Sequence, residues 1–85
     1  MLSLQFKGSK IGFAFGRMKK PPSVMVKLPH AIPDIGPGLY KPGNGIASIR
    51  VIKKARGSLI HIVHDAGFKS FVTIDDMGLH LSLRR

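Results

Sequence analysis

IASIRVIKKARGSLIHIVHD, residues 46–65, carries the strongest architectural signal in the chain. At strand period, Ile49, Val51 and Lys53 fall on one face of its first half, and Ile46, Ser48, Arg50 and Ile52 on the other. In its second half Leu59, His61, Val63 and Asp65 alternate with Ile60, Ile62 and His64. Both faces are largely apolar, which suits the interior of a barrel or sandwich, or a dimer interface, better than a one-sided sheet. The isoleucines and valines favour the pleated strand, because branching at Cβ restricts the side chain in a helix. A helix over residues 46–55 is the competing reading; it would align Ile46, Ile49 and Lys53 on one side. With strands on both sides, Ala55-Arg56-Gly57 becomes a hairpin connection, Gly57 being available for a positive φ. The tip of that hairpin then carries Lys53, Lys54 and Arg56 into solvent.

Beyond the hairpin, Asp65-Ala66-Gly67 reads as a turn, and residues 68–74 as a strand with Phe68, Ser70, Val72 and Ile74 opposed to Lys69, Phe71 and Thr73. Asp75-Asp76-Met77-Gly78 turns the chain again. Residues 79–84 direct Leu79, Leu81 and Leu83 to one side and His80, Ser82 and Arg84 to the other, before Arg85. A meander of four antiparallel strands is therefore expected from residue 46 onward. Before it, PHAIPDIGPGLYKPGNG, residues 29–45, shows no sustained period and predicts a long ordered loop. Its prolines limit the chain, and Ile32, Ile35, Leu39 and Tyr40 would pin it to the body. Tyr40 and Lys41 are candidate ligand contacts there, and Asn44-Gly45 would open the hairpin. Residues 23–28 form a strand with Val24, Val26 and Leu28 on one face. Residues 10–17, KIGFAFGR, alternate Ile11, Phe13 and Phe15 with small residues, and residues 2–7 give a one-sided strand built on Leu2, Leu4 and Phe6. The expectation is an all-β chain, residues 1–85 forming one small basic domain. A small antiparallel barrel or two-sheet sandwich, OB-like or SH3-like, with a Pro/Gly-rich connection in the middle, fits this pattern.

Charge narrows the function. Against 14 Lys and Arg stand four Asp and no Glu, a formal net charge of +10, and no acid precedes Asp34. A compact body with that excess repels itself, and a polyanion would relieve the repulsion and gain affinity by releasing counterions. Nucleic acid, DNA or RNA, is the expected partner; an acidic partner protein is the alternative. An anionic membrane ranks behind nucleic acid as a partner for this charge and is not expected, and no apolar run reaches the length of a membrane-spanning helix. The acid-free start raises a transit peptide, but residues 2–7 alternate at strand period and are read as a first strand. Without cysteine there is no disulfide scaffold, no thiolate zinc site and no thiol nucleophile. An intracellular setting, cytoplasmic or nucleoid-associated, is expected. Homodimerisation would cover the two-sided apolar strands.

The candidate nucleic-acid contacts are the hairpin tip, Lys53, Lys54 and Arg56, and the basic run Arg17, Lys19 and Lys20 ahead of Pro21-Pro22. A stacking platform of Phe13 and Phe15 flanked by Lys10 and Arg17 completes the set. Lys10 with Gly12-Phe13-Ala14-Phe15 resembles part of the aromatic strand of RNA-recognition domains. Gly16, however, stands where that motif has an aliphatic residue. The stretch also lies too near the N-terminus for the strand and helix that precede the motif in that fold, so no family follows. As an alternative to stacking, the two rings would serve as core. His61, His64 and Asp65 form the one catalytic-looking cluster. On a strand His61 and Asp65 share a face and His64 points away, and no spacing selects further metal ligands. No glycine-rich phosphate loop or nucleophile motif occurs. A metal-independent ribonuclease using a His as general base ranks behind partly buried, satisfied histidines, which leaves the enzyme question open; no metal or cofactor is expected.

Overall fold

The computed structural model describes residues 2–43, 45–75 and 78–84. The expected turn residues Asn44, Asp76 and Met77, and Arg85, lie outside them. The chain is all-β, 69% strand without helix among the described residues, in three antiparallel sheets of which none closes into a barrel. Among the described residues no helix is long and apolar enough to cross a membrane.

The hairpin of residues 46–65 is the centre of the largest sheet. Strands β7 (Ile46–Lys53) and β8 (Ser58–His64) pair antiparallel, closing with Lys53 opposite Ser58. The tip is tied by the Lys54 amide donating to the Gly57 carbonyl at 2.8 Å. β8 is flanked on its other side by β4 (Pro22–Leu28), which pairs with β3 (Ala14–Lys19), while β6 (Gly38–Tyr40) borders β7. The order is therefore β3-β4-β8-β7-β6. A second sheet holds β1 (Leu2–Leu4), β10 (Gly78–Arg84) and β9 (Lys69–Asp75) in that order, and β2 (Phe6–Gly8) pairs with β5 (Ala31–Pro33).

One apolar cluster unites the sheets. Val24, Val26 and Leu28 of β4 and Ile60 and Ile62 of β8, all at 0% exposure, meet Ile49 and Val51 of β7, with Leu4, Leu79 and Leu81 from the second sheet. This core lies on one face of the hairpin, so the two-sided burial expected for it is replaced by a buried face and a half-covered one. A bulge explains one reassignment. Ile46 pairs with His64 and Ser48 with Val63, so Ala47 is an extra residue that turns Ile46 onto the core face with Ile49.

Several sequence expectations change for local reasons. Residues 2–7 are two strands, because the chain passes at Gln5 from the second sheet to the β2–β5 pair; the Gln5 carbonyl accepts the Asp34 amide at 2.9 Å. The strand expected at residues 10–17 begins only at Ala14: the Phe13 amide donates back to the Lys10 carbonyl at 3.1 Å, and Gly12 takes φ +80°. The loop of residues 29–45 contains β5 and β6, short edge-forming pieces compatible with proline. Of its four expected anchors only Ile35 packs against the core; Ile32, Leu39 and Tyr40 are exposed. Tyr40 holds instead through its hydroxyl, which bonds the Ile35 and Gly36 carbonyls. The four-strand meander breaks between β8 and β9, since β4 occupies the β8 edge that β9 would need.

Gly57 is required for space rather than for a positive φ. A Cβ there would lie 2.1 Å from the Leu28 carbonyl oxygen and 2.5 Å from the Pro29 carbonyl group. These are backbone atoms of β4 and its exit, so they can yield only by moving the tip off the sheet. Gly57→Ala is expected to cost about 1–3 kcal/mol of stability, as other overpacking does. Thermal unfolding followed by circular dichroism checks this, and an unchanged midpoint would show that the tip is not seated on β4.

Candidate nucleic-acid interface

The strands distribute the expected contacts between two ends of the large sheet. Leu28 faces Ser58 at the hairpin end, and Pro22 faces Lys19 at the other. Six residue steps of β4 separate those levels, about 20 Å at strand rise. Lys53, Lys54 and Arg56 stand exposed at the hairpin end; Arg17, Lys19 and Lys20 stand exposed at the other. The sequence therefore names two basic clusters, not one.

The hairpin end is a cationic setting. Lys54 and Arg56 share a groove of about 600 Å³ with Lys27 and His30, walled by Pro29 and Leu59. The Ser58 hydroxyl donates to the Ala31 carbonyl at 2.8 Å, and the Ser9 amide to the His30 carbonyl at 3.0 Å, so the strand ends beneath the cations are braced. Lys10 belongs to this end by chain position: the turn it opens places Gly12 over the Pro29 ring.

Between the ends runs β3, the edge strand, with every residue exposed. Phe13 and Phe15 stack with centroids 5.7 Å apart and an interplanar angle of 26°. They divide the two roles open to them: Phe13 is half-buried against the core, whereas Phe15 is 42% exposed. The Arg17 guanidinium lies 5.7 Å from the Phe15 centroid and 5.7 Å from that of Phe71 on β9, and the Arg84 guanidinium lies 5.3 Å from the Phe71 centroid. Arg17 is held there by its Nε–H, which donates to the Ser70 carbonyl at 2.9 Å. An alternating ladder results: Phe13, Phe15, Arg17, Phe71, Arg84. Aromatic faces and guanidinium planes are the two side-chain surfaces on which unstacked bases settle.

Phe71 and Arg84 join the interface only in three dimensions. A sequence signal exists in Lys69-Phe71-Thr73, where a large aromatic sits on the strand's polar face. Its partner Arg17, however, lies 54 positions earlier in the chain, and nothing local joins them. Tyr40 and Lys41, by contrast, sit at the opposite edge of the sheet from the ladder, on and just after β6.

The two histidines of the hairpin lie on opposite faces of β8. His61 lies in a cross-strand row with Met25 and Arg50, and His64 is buried on the core face, where its Nδ1 donates to the Asp65 carbonyl at 3.0 Å. Among the described residues no three His or Asp side chains gather in a metal-ligating group. His80 instead accompanies Asp75 at 3.2 Å and Ser3 at 2.9 Å.

The outer face of the large sheet is the other exposed surface. Met25, Leu59, Val63, Ile52 and Leu39 share it with Lys27 and Arg50. Comparison of the chain with protein families, with curated proteins and with solved structures finds no match.

Proposed function

We propose that this protein binds nucleic acid along the β3 edge, through phosphate contacts at both basic ends and base stacking between them. The observation that carries the reading is the Phe13-Phe15-Arg17-Phe71-Arg84 ladder, whose Phe15 and Phe71 rings are exposed on a chain of net charge +10. Exposed aromatic rings cost hydrophobic burial, and cations held between them suit a ligand that is both planar and anionic. Single strands fit best, because only unstacked bases reach such rings. Sequence preference is weak in this reading, since phosphate contacts position a strand without identifying it. In fold we propose kinship with small OB-like or SH3-like modules, supported by the five-stranded antiparallel sheet and its shared core. We place its action inside the cell, where nucleic acid is abundant.

Binding of the purified, nuclease-treated protein to labelled single- and double-stranded oligomers across a salt series tests the reading by fluorescence anisotropy. The expected outcome is preference for single strands, with log affinity falling linearly against log salt at a slope of about −0.7 for each phosphate engaged. Absence of binding at low salt would overturn it.

A second reading then takes its place: docking on an acidic protein through the outer face of the large sheet. The observation favouring it is the apolar row Met25, Leu59, Ile52 and Leu39 beside Lys27 and Arg50. A second copy fits that face less well than an acidic partner, because pairing would set like charges against each other.

A further inference from the structure

Where β3 runs into β4, a cleft of about 590 Å³ opens toward the β8–β9 turn and the start of β9. Its rim and floor differ in chemistry. Arg17, Lys19 and Lys69 stand around it, and among the described residues no acidic side chain lines it. Phe68 and Phe71 also line it. The floor is polar and buried: Ser23 at 1%, Ser70 at 4% and His64 at 6% exposure. The groove at the hairpin end has a similar volume and comparable charge, yet among the described residues its lining has no Phe or Tyr ring and, apart from Ser58, no buried polar residue. The two clusters that carry the charge are thus unequal.

We infer that the β3–β9 cleft is a single-nucleotide subsite, whereas the hairpin end contacts phosphate alone. The inference rests on the nucleic-acid reading and assigns the place where one base is held. A cavity of this size matches a small ligand. The cations select an anionic ligand, the Phe71 ring a planar one, and the polar floor one with hydrogen-bonding groups, a combination met by a nucleoside monophosphate unit and not by hydrocarbon or free phosphate. Arg17 is already placed for it. Its bond to the Ser70 carbonyl and its position beside Phe71 fix the guanidinium before any ligand arrives, so little side-chain freedom is lost on binding. The lining comes from elements distant in sequence, so the subsite exists only where the edges of the two larger sheets approach.

The test uses adenosine monophosphate, adenosine and inorganic phosphate as competitors of a labelled single-stranded 12-mer, with amide chemical shifts mapped in parallel. Adenosine monophosphate is expected to compete about tenfold better than either fragment, and to shift residues of β9 rather than the hairpin tip. Phe71→Leu, at a 42% exposed position, should lose about tenfold in affinity for the mononucleotide while the oligomer keeps its salt slope. Lys69→Gln, also exposed, should weaken the monophosphate and leave adenosine unchanged, and provides the same readout should Phe71→Leu fold poorly. If the oligomer binds but the mononucleotide competes no better than phosphate, or shifts only the tip, the subsite is wrong and the nucleic-acid reading stands. If neither binds, both fall.

Discussion

Replacing Lys53, Lys54 and Arg56 together by glutamine is expected to weaken single-strand binding about 100-fold near 0.1 M salt and to reduce the salt slope by about 2. Each phosphate that the protein no longer neutralises takes about 0.7 off that slope on a single strand, and three of them correspond to about two decades at that ionic strength. The fold should be unaffected, because all three side chains are exposed and the tip is held by backbone, through the Lys54 amide and the Gly57 carbonyl. The separation of the clusters sharpens the expectation. A strand engaging both ends must span about 20 Å of edge, so the variant should lose its advantage for longer oligomers while very short ones still bind near Arg17 and Lys19. Anisotropy titrations over a length and salt series read both effects. An unaltered slope would remove the hairpin tip from the interface.

Ile62→Ala should have the largest effect on the fold, a loss of about 2–5 kcal/mol. Ile62 is fully buried at the centre of the large sheet, paired with Val24 on one side and Ile49 on the other. Truncation removes transfer free energy and leaves a cavity walled by β-branched side chains that collapse poorly. A chain of 85 residues has about 4–13 kcal/mol of stability in total, so the variant would melt about 10–30 °C lower or fail to fold. Ile52→Ala, on the opposite face of the hairpin and 37% exposed, should cost under about 1 kcal/mol. Equal losses at the two positions would contradict the assignment of the core to one face.

The contrast between those isoleucines marks the limit of periodicity. Alternation located β7, β8, β9 and β10 nearly to the residue, and placed Val24, Val26 and Leu28 together. It could not choose between two apolar faces of one hairpin, since that choice depends on what lies above and below. Nor could it register the bulge at Ala47, which one extra residue creates without altering composition. Gly57 has the local setting of a turn glycine, but its constraint comes from the Leu28 and Pro29 carbonyls, far away in sequence. The candidate interface divides the same way. Lys53, Lys54, Arg56, Arg17, Lys19 and Lys20 were legible because charge runs at turns must meet solvent. That they form two clusters, and that Phe71 and Arg84 extend the Phe13–Phe15 stack, follows from pairings between strands.

Strand content, the basic excess and the identity of the exposed cations were thus written in the order of residues, because alternation, branching at Cβ and solvation of charge act over a few neighbouring positions. The partition into three sheets, the choice of core face and the β3–β9 cleft came only with the assembled fold. β4 reaches β8 across the 29 residues of chain between them, taking the edge that a local meander would have given to β9. Competition among strands for one edge is settled by the burial each pairing achieves, a property of the whole chain that no local pattern contains.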